Sequence, residues 1–129
     1  GLMVPKIRDV NKLGVKEIGQ KLRTVSKLCK ELKIDKKEFF GGSMTISSLG
    51  GIGGVTFFTP IINPPEVSIL GVGKSYDKVI KLDGQFISKK ILPISLSYDH
   101  RIIDGAEAAR FSVHLSQSLG KDFAFKLAV

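Results

Sequence analysis

The stretch "SLSYDHRIIDGAEAARF", Ser95 to Phe111, changes its period halfway along. Up to Tyr98 the residues alternate, with Ile94, Leu96 and Tyr98 apolar and Ser95 and Ser97 polar, the pattern of a strand with two unlike faces. From Ala108 the apolar residues recur at steps of three and four, at Phe111, Leu115 and Leu119, which predicts a helix with one covered side. Asp104 stands just before that helix, where a short acceptor side chain can cap the free N–H groups of the first turn. A strand that runs through a charged turn, Asp99-His100-Arg101, into a helix points to an α/β chain.

Working outward, "DKVIKLDGQFISKKILPISLSYDH" sets Asp83-Gly84 between two strand-like runs, a hairpin signal, with the second run carried on to Tyr98. Upstream, Pro60, Pro64 and Pro65 rule out a helix, and Val67 to Val72 follows as an apolar strand. "SMTISSLG", Ser43 to Gly50, is a β-branched strand that runs into the flexible "GGIGG" of Gly50 to Gly54. "FFGG", Phe39 to Gly42, closes the region before it. Val15 to Lys33 carries an apolar stripe at Val15, Ile18, Leu22, Val25, Cys29 and Leu32, the spacing of an amphipathic helix. "LMVPKI", Leu2 to Ile7, is expected to be a strand, irregular or at an edge because of Pro5. The expected architecture is a mixed β-sheet with both helices packed on one side. No repeat, heptad array, low-complexity tract or linker divides the chain, and its alternating tail, Phe123, Phe125 and Leu127, suits a docking segment.

With 129 residues and 43% hydrophobic content the chain can build one core but not two. A single cysteine, Cys29, excludes an internal disulfide and a thiolate zinc site. There is no apolar run of membrane-spanning length and no ordered signal peptide, so a soluble intracellular protein is expected. The net charge of +8 raises nucleic-acid binding. Much of the excess, however, sits at Lys16, Lys21, Arg23, Lys27, Lys30 and Lys33, opposite the apolar stripe and without aromatics for base stacking. That is a solvated helix face, or one that attracts an anionic partner.

Several chemistries fail on motif. "LGGIGG" follows a strand but lacks the lysine of a P-loop and the spacing of a dinucleotide fingerprint, and prolines rather than a helix come after it. His100 and His114 stand fourteen positions apart with no converging ligands, so no metal site is expected. No Gly-x-Ser-x-Gly elbow supports a serine hydrolase. His100 remains. Imidazole is the side chain whose ordinary titration lies closest to neutrality, which suits it to taking a proton from a thiol or an alcohol. Such a base must be held in one orientation, and Asp99, Arg101 and Asp104 could do this directly or by fixing the turn. Spacing alone leaves two readings open, a catalytic base or a structural turn histidine.

"YDHRIIDG" resembles the His-x-x-x-Asp-Gly signature of the dihydrolipoamide acyltransferases, core components of the 2-oxoacid dehydrogenase complexes, which share a fold with chloramphenicol acetyltransferase. "GLMVPKIRDV", "GGSMTISSLGGIGG", "FTPIINPPEVSILGVG" and "LDGQF" are similar to further family segments, in the family's order. The resemblance weakens only in the helix of Val15 to Lys33 and near the C-terminus. It implies acyl transfer between the lipoyl group, as S-acyl-dihydrolipoamide, and coenzyme A, without a metal. It implies that His100 is the base and that Ser47, the first serine of "TISS", donates to the tetrahedral oxyanion. Asp104 would hold the architecture of the site, Arg101 and Gly105 would be turn and packing residues, and Phe58 would either line the pantetheine channel or be plain core.

The same resemblance implies that residues 1–129 are the C-terminal part of one catalytic domain, lacking the lipoyl and peripheral-subunit-binding domains of family members. It implies a homotrimer within a larger core, serine and histidine coming from neighbouring subunits, with decarboxylase and dihydrolipoamide dehydrogenase as partners. The setting would be bacterial or archaeal cytoplasm, or mitochondrial matrix. "TISSLGGIGG" with "FTPIINPPEVSILGVG" resembles acetyl- or branched-chain-transferring members more than succinyl-transferring ones, which are associated with Thr-Asn-Gly-Gly in that segment, and acetyl is the expected group. The competing classes are an assembly module without turnover and a basic nucleic-acid-binding domain.

Overall fold

A computed structural model of the chain describes residues 2–121 and residue 123, in two compact units, Gly1–Ser43 with Lys121–Val129, and Met44–Gly120. The second unit holds five strands and a helix: β1 (Thr45–Ser48), β2 (Ser68–Val72), β3 (Tyr76–Leu82), β4 (Gln85–Ile91), β5 (Ile94–Tyr98) and α2 (Gly105–Ser118). The helix of the first unit is α1 (Val15–Lys30).

β1, β2 and β5 form a mixed sheet in the order β1-β2-β5, parallel between β1 and β2 and antiparallel between β2 and β5. The alternation seen in "ISLSY" explains its faces. Ile46, Leu70 and Leu96 are cross-strand partners and share one face, while Ser47, Gly71 and Ser95 are partners on the other. α2 packs with β5, and Ala108, Ile69 and Leu70 are the buried apolar residues of this unit. The mixed sheet with a packed helix confirms the α+β architecture. α1 lies in the other unit, so the expected pair of helices on one side reduces here to α2.

The hairpin forms as Asp83-Gly84 predicts: both residues take positive φ, 50° and 77°, between β3 and β4. Its second run ends sooner than expected. Leu92-Pro93 splits it into β4, which pairs β3, and β5, which pairs β2. Pro93 has no N–H to continue a ladder, and its carbonyl instead accepts from Gly73 N at 3.0 Å.

In the first unit α1 stops three residues short of Lys33 because Leu32 adopts φ 56°. Lys33 N then donates back to Leu28 O at 2.9 Å, a helix-ending bond usually made around glycine. Ile18, Val25, Leu28 and Cys29 form the half-buried stripe, whereas Val15 and Leu22 are 60% and 57% exposed, so the covered face is narrower than the apolar pattern. Leu2 to Ile7 forms no strand; Pro5 cannot donate, and Lys6 N donates to Glu38 O at 2.6 Å. Arg8 ties this segment to the short 3-10 turn Lys36–Phe39, donating to Lys37 O and Phe40 O. Phe123 is exposed, and Phe125 and Leu127 lie outside the described residues.

Candidate active site

β5 delivers the chain into the turn that carries His100. Asp99 N donates to Val67 O at 2.8 Å, one step beyond the Ser68–Tyr98 pair, so the ladder holds the strand up to the residue before the histidine. Asp99 O then accepts from Ile102 N and Ile103 N, both at 3.0 Å, which closes the turn around His100.

The two charged neighbours bond to each other. Arg101 Nε and Nη2 donate to Asp99 at 2.9 Å and 2.6 Å, and Arg101 N donates to Asp99 Oδ1 at 3.0 Å. The Arg101 side-chain bonds, with its backbone N–H next, hold the Asp99 carboxyl down from the ordinary 3.8 to about 2. The Asp99 side chain is 19% exposed and that of Arg101 87% exposed, so the arginine is a solvent-side brace. The pair thus acts on His100 by fixing the turn.

Asp104 ends the turn as predicted, its Oδ1 accepting from Glu107 N at 2.8 Å to cap α2. The His100 ring lies against Tyr98, with centroids 5.7 Å apart and planes at 39°. Tyr98 is a neighbour that motif reasoning missed, although its place two residues before His100 puts it on the same side of the chain. A Cβ built on Gly105 would stand 3.9 Å from His100 Nε2 and 3.7 Å from Tyr98 Oη, ordinary contact distances. Glycine is therefore not forced there by crowding, and His100 itself is exposed, so its ring can be approached from solvent.

Ser47 is the third residue of β1, opposite Gly71. Thr45, two residues earlier on the same face, donates to the buried Glu66 at 2.7 Å and anchors the head of the strand. The Ser47 row continues through Gly71 to Ser95, whereas His100 lies five residues beyond Ser95, in the turn that follows the end of β5 at Tyr98. Tyr98, which His100 stacks against, belongs to the opposite face from Ser47. Ser47 therefore faces away from the Tyr98 ring against which His100 rests.

Phe58 stands on the Ser47 side of the sheet. A Cβ at Gly71 would come within 3.1 Å of Phe58 Cζ, 3.0 Å of Pro60 Cδ and 2.6 Å of Ser95 Oγ, so the ring lies directly over the glycine. Ser95 Oγ donates to Phe58 O at 2.6 Å, a bond spanning 37 residues that local pattern could not reveal. A cleft of about 450 Å³ in the first unit, lined by Lys6, Arg8, Glu17, Lys21 and Glu38 among others, contains none of these residues and mixes both signs of charge. Among the described residues no group of His, Cys, Asp or Glu side chains converges on a metal position, and no helix is long and apolar enough to cross a membrane.

Comparison with known proteins places this geometry. The family profile described as 2-oxoacid dehydrogenases acyltransferase (catalytic domain) matches residues 1–124. The acetyltransferase component of the pyruvate dehydrogenase complex of Cupriavidus necator is 53% identical over 119 residues, which is 92% of this chain and 21% of that protein. A solved structure of Azotobacter vinelandii dihydrolipoamide acetyltransferase, studied for the catalytic roles of a serine, a histidine and an asparagine, is 44% identical with a TM-score of 0.87. It is matched over 96% of this chain and 51% of its own. In that protein the asparagine follows the histidine by four positions and the serine precedes it by 52. The cubic core of a pyruvate dehydrogenase multienzyme complex is 43% identical with a TM-score of 0.88, over 96% of this chain and 51% of the other. The chain thus spans about half the length of these solved relatives and about a fifth of the curated one.

Proposed function

Because the chain belongs to the 2-oxoacid dehydrogenase acyltransferase family, we propose that it carries the histidine and serine of an acyl transfer between S-acyl-dihydrolipoamide and coenzyme A. The observation that carries this reading is the braced strand-turn-helix from Tyr98 to Gly105, which presents an exposed His100. Four positions separate His100 from Asp104 and 53 separate Ser47 from His100, against four and 52 in the Azotobacter vinelandii protein. The matching spacing of four supports the assignment of His100, whereas a spacing of 52 falls on Ser48, so Ser47 is supported by its place as the first serine of "TISS" rather than by the count. Asp104 stands where the relative has asparagine, and either side chain caps a helix, which supports an architectural role.

In this mechanism His100 takes the proton of the coenzyme A thiol, and the thiolate attacks the thioester carbonyl of the acyl-dihydrolipoamide. A thiol of ordinary pKa near 8.5 is only slightly ionised at neutral pH, so a positioned base lowers the barrier by ~3–5 kcal/mol. Ser47 donates a hydrogen bond to the oxyanion that forms. Collapse of the tetrahedral intermediate breaks the bond to the lipoyl sulfur, which leaves as the thiolate and recovers the proton from His100 as dihydrolipoamide. Coenzyme A and the lipoyl group are substrates, and no step uses a metal.

The placing of Ser47 on the face away from the Tyr98 ring, against which His100 rests, supports a site shared between subunits, the serine of one and the histidine of the next, as in a trimer. The cubic core among the similar structures supports assembly into a larger particle, served by a decarboxylase and a dihydrolipoamide dehydrogenase. Acetyl is the favoured acyl group, as in the Cupriavidus necator relative, and the bacterial source of that relative supports the cytoplasm over the mitochondrial matrix. Coverage of half the solved relatives supports reading residues 1–129 as part of a catalytic domain, and the resemblance of its segments makes that the C-terminal part.

The test uses the assembled protein that contains this chain. His100→Ala should lower acetyl transfer to coenzyme A by ~100-fold or more without changing its sedimentation. Ser47→Ala should lower kcat ~100-fold with little change in KM. Mixed assemblies of the two inactive variants should recover activity, because some sites then join an intact serine to an intact histidine. Near-normal turnover of His100→Ala overturns the catalytic assignment, and mixtures that stay inactive overturn the shared site.

A further inference from the structure

Ser95 belongs to no motif of the reaction, yet it is the residue that fastens one wall of the Ser47 face. Three observations converge on it. Its hydroxyl donates to Phe58 O at 2.6 Å, joining β5 to a segment 37 residues earlier. Cross-strand pairing sets Ser47, Gly71 and Ser95 in one row on one face, neighbouring Cβ positions in such a row being about 5 Å apart. The middle of the row is a glycine over which Phe58 and Pro60 lie, close enough that a Cβ there would reach 3.1 Å and 3.0 Å from them.

The segment that carries Phe58 is anchored elsewhere by its backbone and by the Phe57 ring, which meets Tyr76 edge-on with centroids 6.4 Å apart. Lys74 N donates to Val55 O at 2.9 Å, and the Thr56 carbonyl packs on Gly73, both at the far end of β2 from Ser68. Past Thr56, the bond from Ser95 is a polar tie on the face itself, and it falls on the residue whose ring covers Gly71. The empty Gly71 position lets the ring descend beside Ser47, and the Ser95 hydroxyl fixes the height and direction at which its backbone sits.

We propose that Ser95 is a positioning residue for thiol binding: through Phe58 O it holds the Phe58 ring over Gly71, so that the ring walls the channel in which the substrate thioester meets Ser47. This rests on the acyl-transfer reading given above. Without the hydroxyl the ring drifts from the row, and the pantetheine or lipoyl arm loses an apolar wall while His100, in the turn closed by Asp99 O beyond the end of β5, keeps its place. The consequence is weaker thiol binding with chemistry little changed.

Steady-state kinetics of the assembled protein test this. Ser95→Ala should raise the KM for coenzyme A ~5- to 10-fold with kcat within about twofold of the parent, the split expected when binding common to ground and transition states is lost. Phe58→Ala should raise KM by a similar factor. Combining the two should add nothing further, because the hydroxyl acts through the ring that is already gone. Should Ser95→Ala fail to assemble, Ser95→Cys, a near-isostere with a weak donor, reads the same split. An unchanged KM in the assembled variant, or KM factors that multiply in the double variant, overturns the proposal. His100→Ala, measured alongside, separates the two levels. If it is inactive while Ser95→Ala is normal, only this inference fails; if it stays active, the acyl-transfer reading fails first.

Discussion

Replacing Gly73 with alanine tests how tightly the Val55–Pro60 segment is laid on the sheet. Gly73 is buried just past the end of β2, where its N–H donates to Pro93 O at 3.0 Å. A Cβ there would collide with the Thr56 carbonyl, lying 2.7 Å from its carbon and inside contact distance of its oxygen, with Pro93 Cγ at 3.1 Å. The obstructing atoms are backbone on one side and a proline ring on the other, so no side-chain rotation can relieve the overlap. Gly50 crowds the same residue, since a Cβ on it would stand 3.2 Å from Gly73 O. Overpacking of this kind costs ~1–3 kcal/mol. With a urea dependence of ~2 kcal/mol per molar, the unfolding midpoint should fall by roughly 0.5–1.5 M. The control is Gly53→Ala, where a new Cβ meets nothing within 4 Å and φ is not positive. There, less freedom in the unfolded chain should leave stability unchanged or raise it by ~0.4–1 kcal/mol. Both variants are compared at one protein concentration, because assembly adds to apparent stability. Equal midpoints for Gly73→Ala and the parent would refute the crowding argument, and a loss at Gly53 as large as at Gly73 would show that the effect is not local.

Two further predictions concern the turn. Asp104→Ala should destabilise by ~1 kcal/mol through loss of the cap and lower turnover, while Asp104→Asn keeps an acceptor and should stay within a few tenths of a kcal/mol, both read from denaturant midpoints and initial rates. Equal losses in the two variants would show that charge, not capping, matters at this position. The Asp99 carboxyl, held to about 2 by Arg101, should titrate at that pH by carboxyl-carbon NMR and return toward 3.8 in Arg101→Ala. Since the carboxyl is lowered, the contribution of the pair is complete above the ordinary carboxylate range and is lost as pH falls through about 2. A midpoint unmoved by the substitution would exclude Arg101 as the brace.

Local pattern carried furthest where the relevant physics is local. Asp83-Gly84 predicted its hairpin because a two-residue turn needs positive φ at both positions, and Asp104 predicted its helix because a cap bonds N–H groups three residues away. The alternation in "ISLSY" foretold two unlike faces, as the Leu70–Leu96 and Gly71–Ser95 partners show. Pattern erred where a partner decides. Leu2 to Ile7 has strand-forming residues but no strand to pair with, and the apolar run through Pro93 divides between two sheets. α1 shows the same limit, its stripe wider in sequence than the face that is covered.

The Asp104 cap could be read from the chain itself, whereas the roles proposed for His100 and Ser47 came from the resemblance to the family, since spacing alone left His100 between a base and a turn residue. Family membership likewise rests on residues read in order. Only the tertiary structure decided what surrounds them: that Asp99 and Arg101 brace the turn rather than the imidazole, that Tyr98 backs the histidine, and that Ser95 reaches Phe58. It also decided that Ser47 and Tyr98, the neighbour of His100, stand on opposite faces of one sheet. The reason is physical. Periodicity states which residues share a side of an element, whereas strand order, register and the lie of a long loop are set by contacts between residues far apart in the chain, which no local pattern encodes.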